Sequence, residues 1–149
     1  MTKRITSGSE TSPGVYHARE WGQQLETNLL DLLIDAARRS DTRKARFCVH
    51  PDREEILQIT YLAFIHPYFD RIHRHPGRAE IVIPIQGKAM HSTFDSEKNL
   101  SSNQLLDGSN PVALTTIKDA WHSIEILSDF FVMIEIGLGP FTSNSTVYI

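Results

Sequence analysis

The sequence lacks the features that mark several large classes of protein. It has one cysteine, Cys48, so an intramolecular disulfide is impossible and a reducing compartment is favoured. No run reaches the about 18 apolar residues that a membrane-spanning helix needs. Residues 1–13 are polar and lack the apolar middle region of a secretory signal. These absences predict a cytoplasmic protein without a membrane span.

Concentrated positive charge is also missing. The chain has 15 Lys and Arg residues against 18 Asp and Glu residues, for a formal net charge of −3 at pH 7. The one basic cluster, at residues 38–46, is interrupted by Asp41 and is typical of cations at the C-terminal end of a helix. Because no basic stripe is available to neutralise a phosphate backbone, nucleic-acid binding is not expected.

The length and composition fit one globular domain. The 149 residues are 40% hydrophobic and 22% charged, close to ordinary soluble proteins. Residues 1–17 carry Ser, Thr, Gly and Pro with little to bury, so we expect a flexible tail there. Leucine and alanine then recur at helical spacing, which predicts an amphipathic helix over about residues 18–39 whose apolar face packs on a sheet.

From about residue 45 the apolar periodicity shortens towards two, which is typical of β-strands. Turn-forming residues separate predicted strands at 45–50, 56–65, 81–86, 88–94, 112–117, 123–127 and 130–136. The longest polar interruption, about residues 96–110, is expected to be a surface loop. The pattern predicts a mainly β domain over residues 18–149, with a sandwich or barrel at about residues 45–141.

Residues 72–87 read I-H-R-H-P-G-R-A-E-I-V-I-P-I-Q-G and contain three candidate metal ligands. His73 and His75 are two residues apart, so on an extended strand their side chains share a face, as chelation requires. The Pro76-Gly77 turn then reverses the chain, which lets Glu80 lie opposite the histidines. One hairpin therefore supplies three predicted ligands.

His122, in the later segment A-W-H-S-I-E-I, completes a predicted set of three imidazoles and one carboxylate. This donor set suits one divalent ion, such as iron, manganese, zinc or nickel, and does not choose among them. Four protein ligands leave positions for water or substrate on an ion that prefers six, as catalytic sites require.

The spacing of these ligands resembles a known family. The pattern H-x-H, four residues, Glu, six residues, Gly is similar to the first motif of the cupins. More narrowly, four segments resemble the WbuC-type cupin-fold metalloproteins: R-F-C-V-H at 46–50, I-H-R-H-P-G-R-A-E at 72–80, D-A-W-H at 119–122 and E-I-G-L-G-P-F at 135–141. The similarity spans about residues 43–141.

The resemblance implies a cupin barrel, that is, a double-stranded β-helix or jelly roll, with the metal held by His73, His75, Glu80 and His122. It also implies a setting in bacterial surface-polysaccharide (O-antigen) biosynthesis, without defining a reaction. Two positions depart from the cupin pattern. The Pro-x-Gly turn that normally precedes the second-motif histidine is absent before His122, and Pro67 stands where the first motif usually begins with glycine.

Further polar residues are candidates for the wall of the cavity. The candidate catalytic residues, which would move protons, are His91 and Glu135. The candidate substrate-binding residues are Arg46, His50 and Tyr61. Cys48 lies in a short apolar segment, where a buried and inert thiol is the favoured interpretation.

Two functions remain open from the sequence. The first is a metalloenzyme, an isomerase, hydrolase or dioxygenase, that acts on a small polar molecule such as a sugar or nucleotide sugar. The second is a non-catalytic module that binds a carbohydrate or another small ligand through the metal. A homodimer is expected because Ile81, Ile83 and Ile85 form an apolar strand face, unless the helix covers that face within one chain.

Overall fold

The structure, a computed structural model, describes residues 4–149. In this part of the chain the strands belong to a 10-stranded sheet, and one helix packs against it. The elements are β1 (Gly8–Ser12), β2 (Val15–Ala18), α1 (Leu29–Arg39), β3 (Lys44–Cys48), β4 (Leu57–Ile65), β5 (His73–Arg74), β6 (Glu80–Phe94), β7 (Leu100–Asp107), β8 (Leu114–Thr116), β9 (Trp121–Leu138) and β10 (Val147–Tyr148). The prediction of a mainly β fold is confirmed.

The long strands β6 and β9 hold the sheet together. β9 pairs with β4, β5 and β6, and β6 pairs in addition with β7 and β8. The pairing of β6 with β9 shifts register between Pro84 and Gln86 and again between Gly87 and Ala89. Such bulges bend a strand, so each of the two long strands replaces two shorter predicted ones. Gly87 is required at the bend, because its φ is 76° and a Cβ there would lie 2.1 Å from the carbonyl oxygen of Phe130.

Two apolar clusters lie on opposite faces of the sheet. One forms beneath α1 and includes Leu33, Phe47 and Ala63. The other lies on the opposite face and includes Phe64 and Phe131. Because neighbouring strand residues point to opposite faces, Ala63 packs towards the helix while Phe64 packs away from it. The second cluster forms the apolar floor next to the candidate site.

The N-terminal part of the chain differs from the prediction. Residues 8–18, most of which were assigned to a flexible tail, form the antiparallel pair β1 and β2, and β2 pairs in parallel with β3. The helix begins at Leu29 rather than near residue 18. The preceding segment turns at Gly22, whose φ is 75°, and Glu26 accepts hydrogen bonds from the backbone N–H groups of Thr6 and Ser7. These contacts hold residues 19–28 as a loop.

The prediction of a surface loop at residues 96–110 is also wrong in part, because this segment contains β7, which pairs antiparallel with β6. Its side chains are almost all exposed, and Leu106 is the one that joins the apolar cluster. A strand whose side chains are exposed on both faces has a polar composition, so its sequence resembles that of a loop. Within residues 4–149, no helix has the length and apolar character needed to cross a bilayer.

Candidate metal centre

Three strands bring the predicted ligands together. His73 on β5 and His122 on β9 are directly paired residues, and His75 follows two positions after His73. Glu80 is the first residue of β6, which also pairs with β9. The hairpin and the distant histidine therefore meet because both strands share β9 as a neighbour. We call His73, His75, Glu80 and His122 the central site.

The donor atoms of the central site converge. One ligand atom from each histidine lies within 4.8 Å of the others. Glu80 lies between two of the rings, with one carboxylate oxygen 3.0 Å from Nε2 of His75 and the other 3.6 Å from Nε2 of His122. All three histidines are at most 8% exposed. Three imidazoles that are buried and lie this close together are better explained as ligands of one shared cation than as packing residues.

Backbone carbonyl groups fix the orientation of each ring. Nδ1 of His73 lies 2.7 Å from the carbonyl oxygen of Arg71, Nδ1 of His75 lies 3.0 Å from that of Ser145, and Nδ1 of His122 lies 2.9 Å from that of Ala120. A ring that donates its Nδ1 proton to a carbonyl presents the lone pair of Nε2 to a metal. The ligand atoms are therefore positioned to share one divalent ion.

The electrostatics of the central site favour a bound cation. Burial raises the pKa of Glu80, but hydrogen bonds from His122 and His75 outweigh burial and hold it at about 2. Burial lowers the pKa of His75, whereas its hydrogen bond to Glu80 and the charge of that carboxylate raise it above its usual value. The carboxylate is thus ionised and attracts positive charge. A metal ion bound by all four ligands would provide that charge.

His91 lies behind the ligands rather than among them. Its ring stacks on that of His122 at 5.5 Å between centroids, and its Nε2 is 3.3 Å from the hydroxyl oxygen of Thr116. Burial first, and then the neighbouring His122, lower the pKa of His91 to about 4, so the ring is neutral near pH 7. A small cavity of about 30 Å³, roughly the size of one water molecule, lies among His73, His91 and His122.

A much larger cavity adjoins the central site. This main cavity has a volume of about 700 Å³, and Glu80 and Glu135 line both it and the small cavity. Burial and the negative charge of Glu80 raise the pKa of Glu135 to about 7. Arg46 and Arg78 add positive charge to the wall of the main cavity. An ion at the central site therefore lies beside a space large enough for a small polar molecule.

The candidate substrate-binding residues do not all reach this cavity. Arg46 and His50 line it, together with Thr60 and Leu62 of β4. Tyr61 lies between these last two, so its side chain points to the opposite face and packs against the cluster beneath α1. The assignment of Tyr61 to the substrate site is therefore corrected.

Sequence reasoning missed His17, which also lines the main cavity. It falls in the segment that we predicted to be a tail. The alternation of Val15, Tyr16, His17 and Ala18 is the only sequence signal for the strand that places it there.

The strand order and the convergent histidines define a cupin-fold protein with a candidate metal centre. The chain belongs to the family described as "Domain of unknown function (DUF6016)", whose model matches residues 25–106, more than half of the chain. No curated protein matches the sequence.

Solved structures of cupin fold are similar to this chain. The capsular polysaccharide assembling protein CapF from Staphylococcus aureus has a TM-score of 0.65 and 17% identity, over 74% of this chain and 33% of CapF. Oxalate oxidase in complex with glycolate has a TM-score of 0.57 and 11% identity, over 74% of this chain and 57% of that one. A mutant of the oxalate decarboxylase OxdC from Bacillus subtilis has a TM-score of 0.54 and 19% identity, over 64% of this chain and 24% of OxdC. The chain spans about a third of CapF, and at these identities the likeness is one of fold.

Proposed function

We propose that this protein binds one divalent metal ion at the central site and acts there on a small polar substrate such as a sugar or nucleotide sugar. The observation that carries the proposal is the convergence of three buried imidazoles on the carboxylate of Glu80, with each Nδ1 turned to a backbone carbonyl. Iron, manganese, zinc and nickel all suit this donor set.

The surrounding residues have distinct roles in this proposal. An ion held by the central site would act as a Lewis acid or would activate water or dioxygen. Arg46 on β3 lines the main cavity and pairs with negatively charged groups of the substrate. Glu135 lies where the two cavities adjoin, so its carboxylate oxygens accept or return a proton of the substrate. His91 keeps its neutral ring stacked on His122 and supports the orientation of that ligand.

The biological setting we propose is bacterial surface-polysaccharide biosynthesis, in the cytoplasm. Two likenesses support it. The sequence segments at 46–50, 72–80, 119–122 and 135–141 resemble the WbuC-type cupins of O-antigen gene clusters. The fold is shared with CapF, which is described as a capsular polysaccharide assembling protein.

A non-catalytic binding module is the second candidate, and one observation favours it. The guanidinium of Arg78 lies 5.3 Å from the ring of Phe141, and both residues line the main cavity. In this proposal the guanidinium pairs with the acidic group of a sugar acid or a phosphorylated sugar, and the aromatic ring packs on the sugar. Turnover that is abolished by His75→Ala supports the enzyme, whereas tight binding without turnover supports the module.

Elemental analysis of the untagged protein tests the proposed metal centre. The wild type, once loaded and desalted, should retain metal at the central site, and the His73→Ala/His75→Ala double variant should lose that ion. His66→Ala is the matched control, because His66 is exposed in the loop after β4. Equal metal content in the double variant and the control would reject the central site.

We also propose that the protein is a homodimer. The apolar face of β6 is only partly covered within one chain, since Ile85 packs with the cluster beneath α1 while Ile81 is 38% exposed. Light scattering coupled to size-exclusion chromatography should give twice the monomer mass. Ile81→Lys should halve that mass, because a charge at the contact cannot be buried without a partner.

A further inference from the structure

A second group of metal-ligating side chains lies away from the central site. His17 on β2 and Cys48 on β3 are directly paired residues of the parallel strands, and His50 follows Cys48 by two positions. All three line the main cavity. We call His17, Cys48 and His50 the rim cluster. No role in the proposed function uses Cys48 or His17.

The donor atoms of the rim cluster are close enough to share one ion. One ligand atom from each residue lies within 4.8 Å of the other two. Around a tetrahedral zinc ion, with Zn–N near 2.1 Å and Zn–S near 2.3 Å, donors stand about 3.5 Å apart. Small side-chain rotations that move each donor atom by about 1 Å therefore bring the three donors to coordination distance.

The two histidines of the rim cluster are oriented as those of the central site are. Nδ1 of His50 lies 3.0 Å from the carbonyl oxygen of Ile59, and Nδ1 of His17 lies 3.3 Å from that of His50. His17 can thus donate its Nδ1 proton to the backbone and keep Nε2 for a metal, whereas Nδ1 of His50 also lies 3.0 Å from the backbone nitrogen of Ile59, whose N–H donates to it. The rings stand at 86° to each other with centroids 5.5 Å apart, so they approach a common point from two directions.

Packing alone does not explain this arrangement. His50 is 2% exposed and Cys48 is 5% exposed, yet neither apolar cluster of residues 4–149 includes either of them. The polar neighbour across the strand, Thr60, has its hydroxyl 3.9 Å from Sγ of Cys48 and lines the same cavity. Cys48 and His50 both line the main cavity, so an ion in that cavity could reach their side chains.

We propose that His17, Cys48 and His50 form a second metal site that takes a borderline-soft divalent ion, with zinc as the expected occupant. A thiolate and two imidazoles suit zinc, and three protein ligands leave the fourth position open towards the main cavity. On binding, the Cys48 thiol loses its proton to solvent and the thiolate bonds to the metal, so one negative charge of the protein offsets one of the two positive charges of the ion. The open position then takes water or an anionic oxygen of a molecule in the cavity.

Cobalt(II) is the probe for this site because a cobalt–thiolate bond gives a charge-transfer band in the near ultraviolet. The chain has one cysteine, so any such band belongs to Cys48. The untagged wild type, reduced, loaded with Co²⁺ and desalted, should show the band and retain two ions per chain. Cys48→Ser should lose the band and one ion. His73→Ala/His75→Ala should keep the band and lose the other ion, which separates this site from the central one.

A second variant guards against misfolding of Cys48→Ser. His17 is only half-buried on β2, so His17→Ala should fold, weaken Co²⁺ binding at the rim cluster by at least about tenfold and diminish the band, while His66→Ala leaves it unchanged. Zinc should also slow the reaction of Cys48 with a thiol reagent in the wild type and much less in His17→Ala. An absent band, or a band that His17→Ala does not change, would overturn the second site whatever the fate of the central one.

Discussion

The central site and the rim cluster orient their histidines in the same way but assemble their donors differently. In both, Nδ1 of each ring lies within 3.3 Å of a backbone carbonyl oxygen. The central site carries its negative charge on Glu80, whereas the rim cluster would gain it only when the thiol of Cys48 ionises. Three donors of the central site come from one short segment, whereas the rim cluster depends on the pairing of two strands that are distant in the chain.

Glu80→Gln should give the largest difference between the two sites. The amide keeps the shape of the side chain but removes the charge that lies 3.0 Å from His75. We expect the affinity of the central site for zinc to fall by about 10–100-fold or more. A loss of about 10–100-fold is typical when a residue that only hydrogen-bonds to a metal ligand is replaced. Competition with a chromogenic chelator measures the change, with Cys48→Ser present in all samples to silence the rim cluster.

The control for this experiment is Glu125→Gln, because Glu125 is an exposed carboxylate on the outer face of β9. Its affinity should match that of the parent protein. A loss of less than about threefold in Glu80→Gln would show that the three histidines bind the ion without this carboxylate.

Loosening the N-terminal strands should affect only the rim cluster. Glu26 accepts hydrogen bonds from the N–H of Ser7 at 2.8 Å and from the hydroxyl of Thr6 at 2.8 Å, just before β1. We expect Glu26→Gln to lower the free energy of unfolding by about 1 kcal/mol at pH 7, since it weakens charge-assisted hydrogen bonds. Cobalt affinity at the rim cluster should fall by at most about fivefold, and that of the central site should not change. Chemical denaturation and cobalt titration measure the two effects.

The effect of Glu26→Gln should depend on pH in a defined direction. Burial raises the pKa of Glu26, but hydrogen bonds from Ser7 and Thr6 outweigh burial and lower it from 4.5 to about 2. A carboxyl group with a lowered pKa in the folded state stabilises the protein above pH 4.5 and loses this contribution as the pH falls towards 2. The wild type and the variant should therefore converge in stability over that interval. Glu20→Gln, in the same exposed loop, is the control for the loss of a carboxylate from this segment.

The sequence predicts the central site well because its geometry is mostly local. The two-residue spacing of His73 and His75, the turn after them and the position of Glu80 all follow from strand parity within eight residues. The place of His122 beside these three residues does not follow from local spacing, because only the pairing of β5 and β6 with β9 brings it near them. The long strands were divided into shorter ones because their bulges contain Gly and Pro, the residues that also mark turns.

The rim cluster was beyond the reach of sequence reasoning for a physical reason. His17 and Cys48 meet through a parallel pairing of β2 with β3, and the helix α1 lies between these strands in the chain. Parallel pairing needs a long connection, so no short spacing reveals it. Cys48 was predicted to be a buried thiol because it lies in a short apolar segment, and the structure buries it, with 5% exposed.

The smallest expected effect comes from Tyr61, which shares β4 with the wall of the main cavity but points away from it. Tyr61→Phe removes only a hydroxyl group on the side that packs beneath α1, so the free energy of unfolding should change by no more than about 0.5 kcal/mol. Zinc content and the cobalt–thiolate band should equal those of the wild type. The neighbouring Thr60→Val, whose hydroxyl lies 3.9 Å from Sγ of Cys48, should instead shift the band while it conserves volume. If Tyr61→Phe changed the band and Thr60→Val did not, the two faces of β4 would be assigned the wrong way round, and the main cavity would not be the space onto which the rim cluster opens.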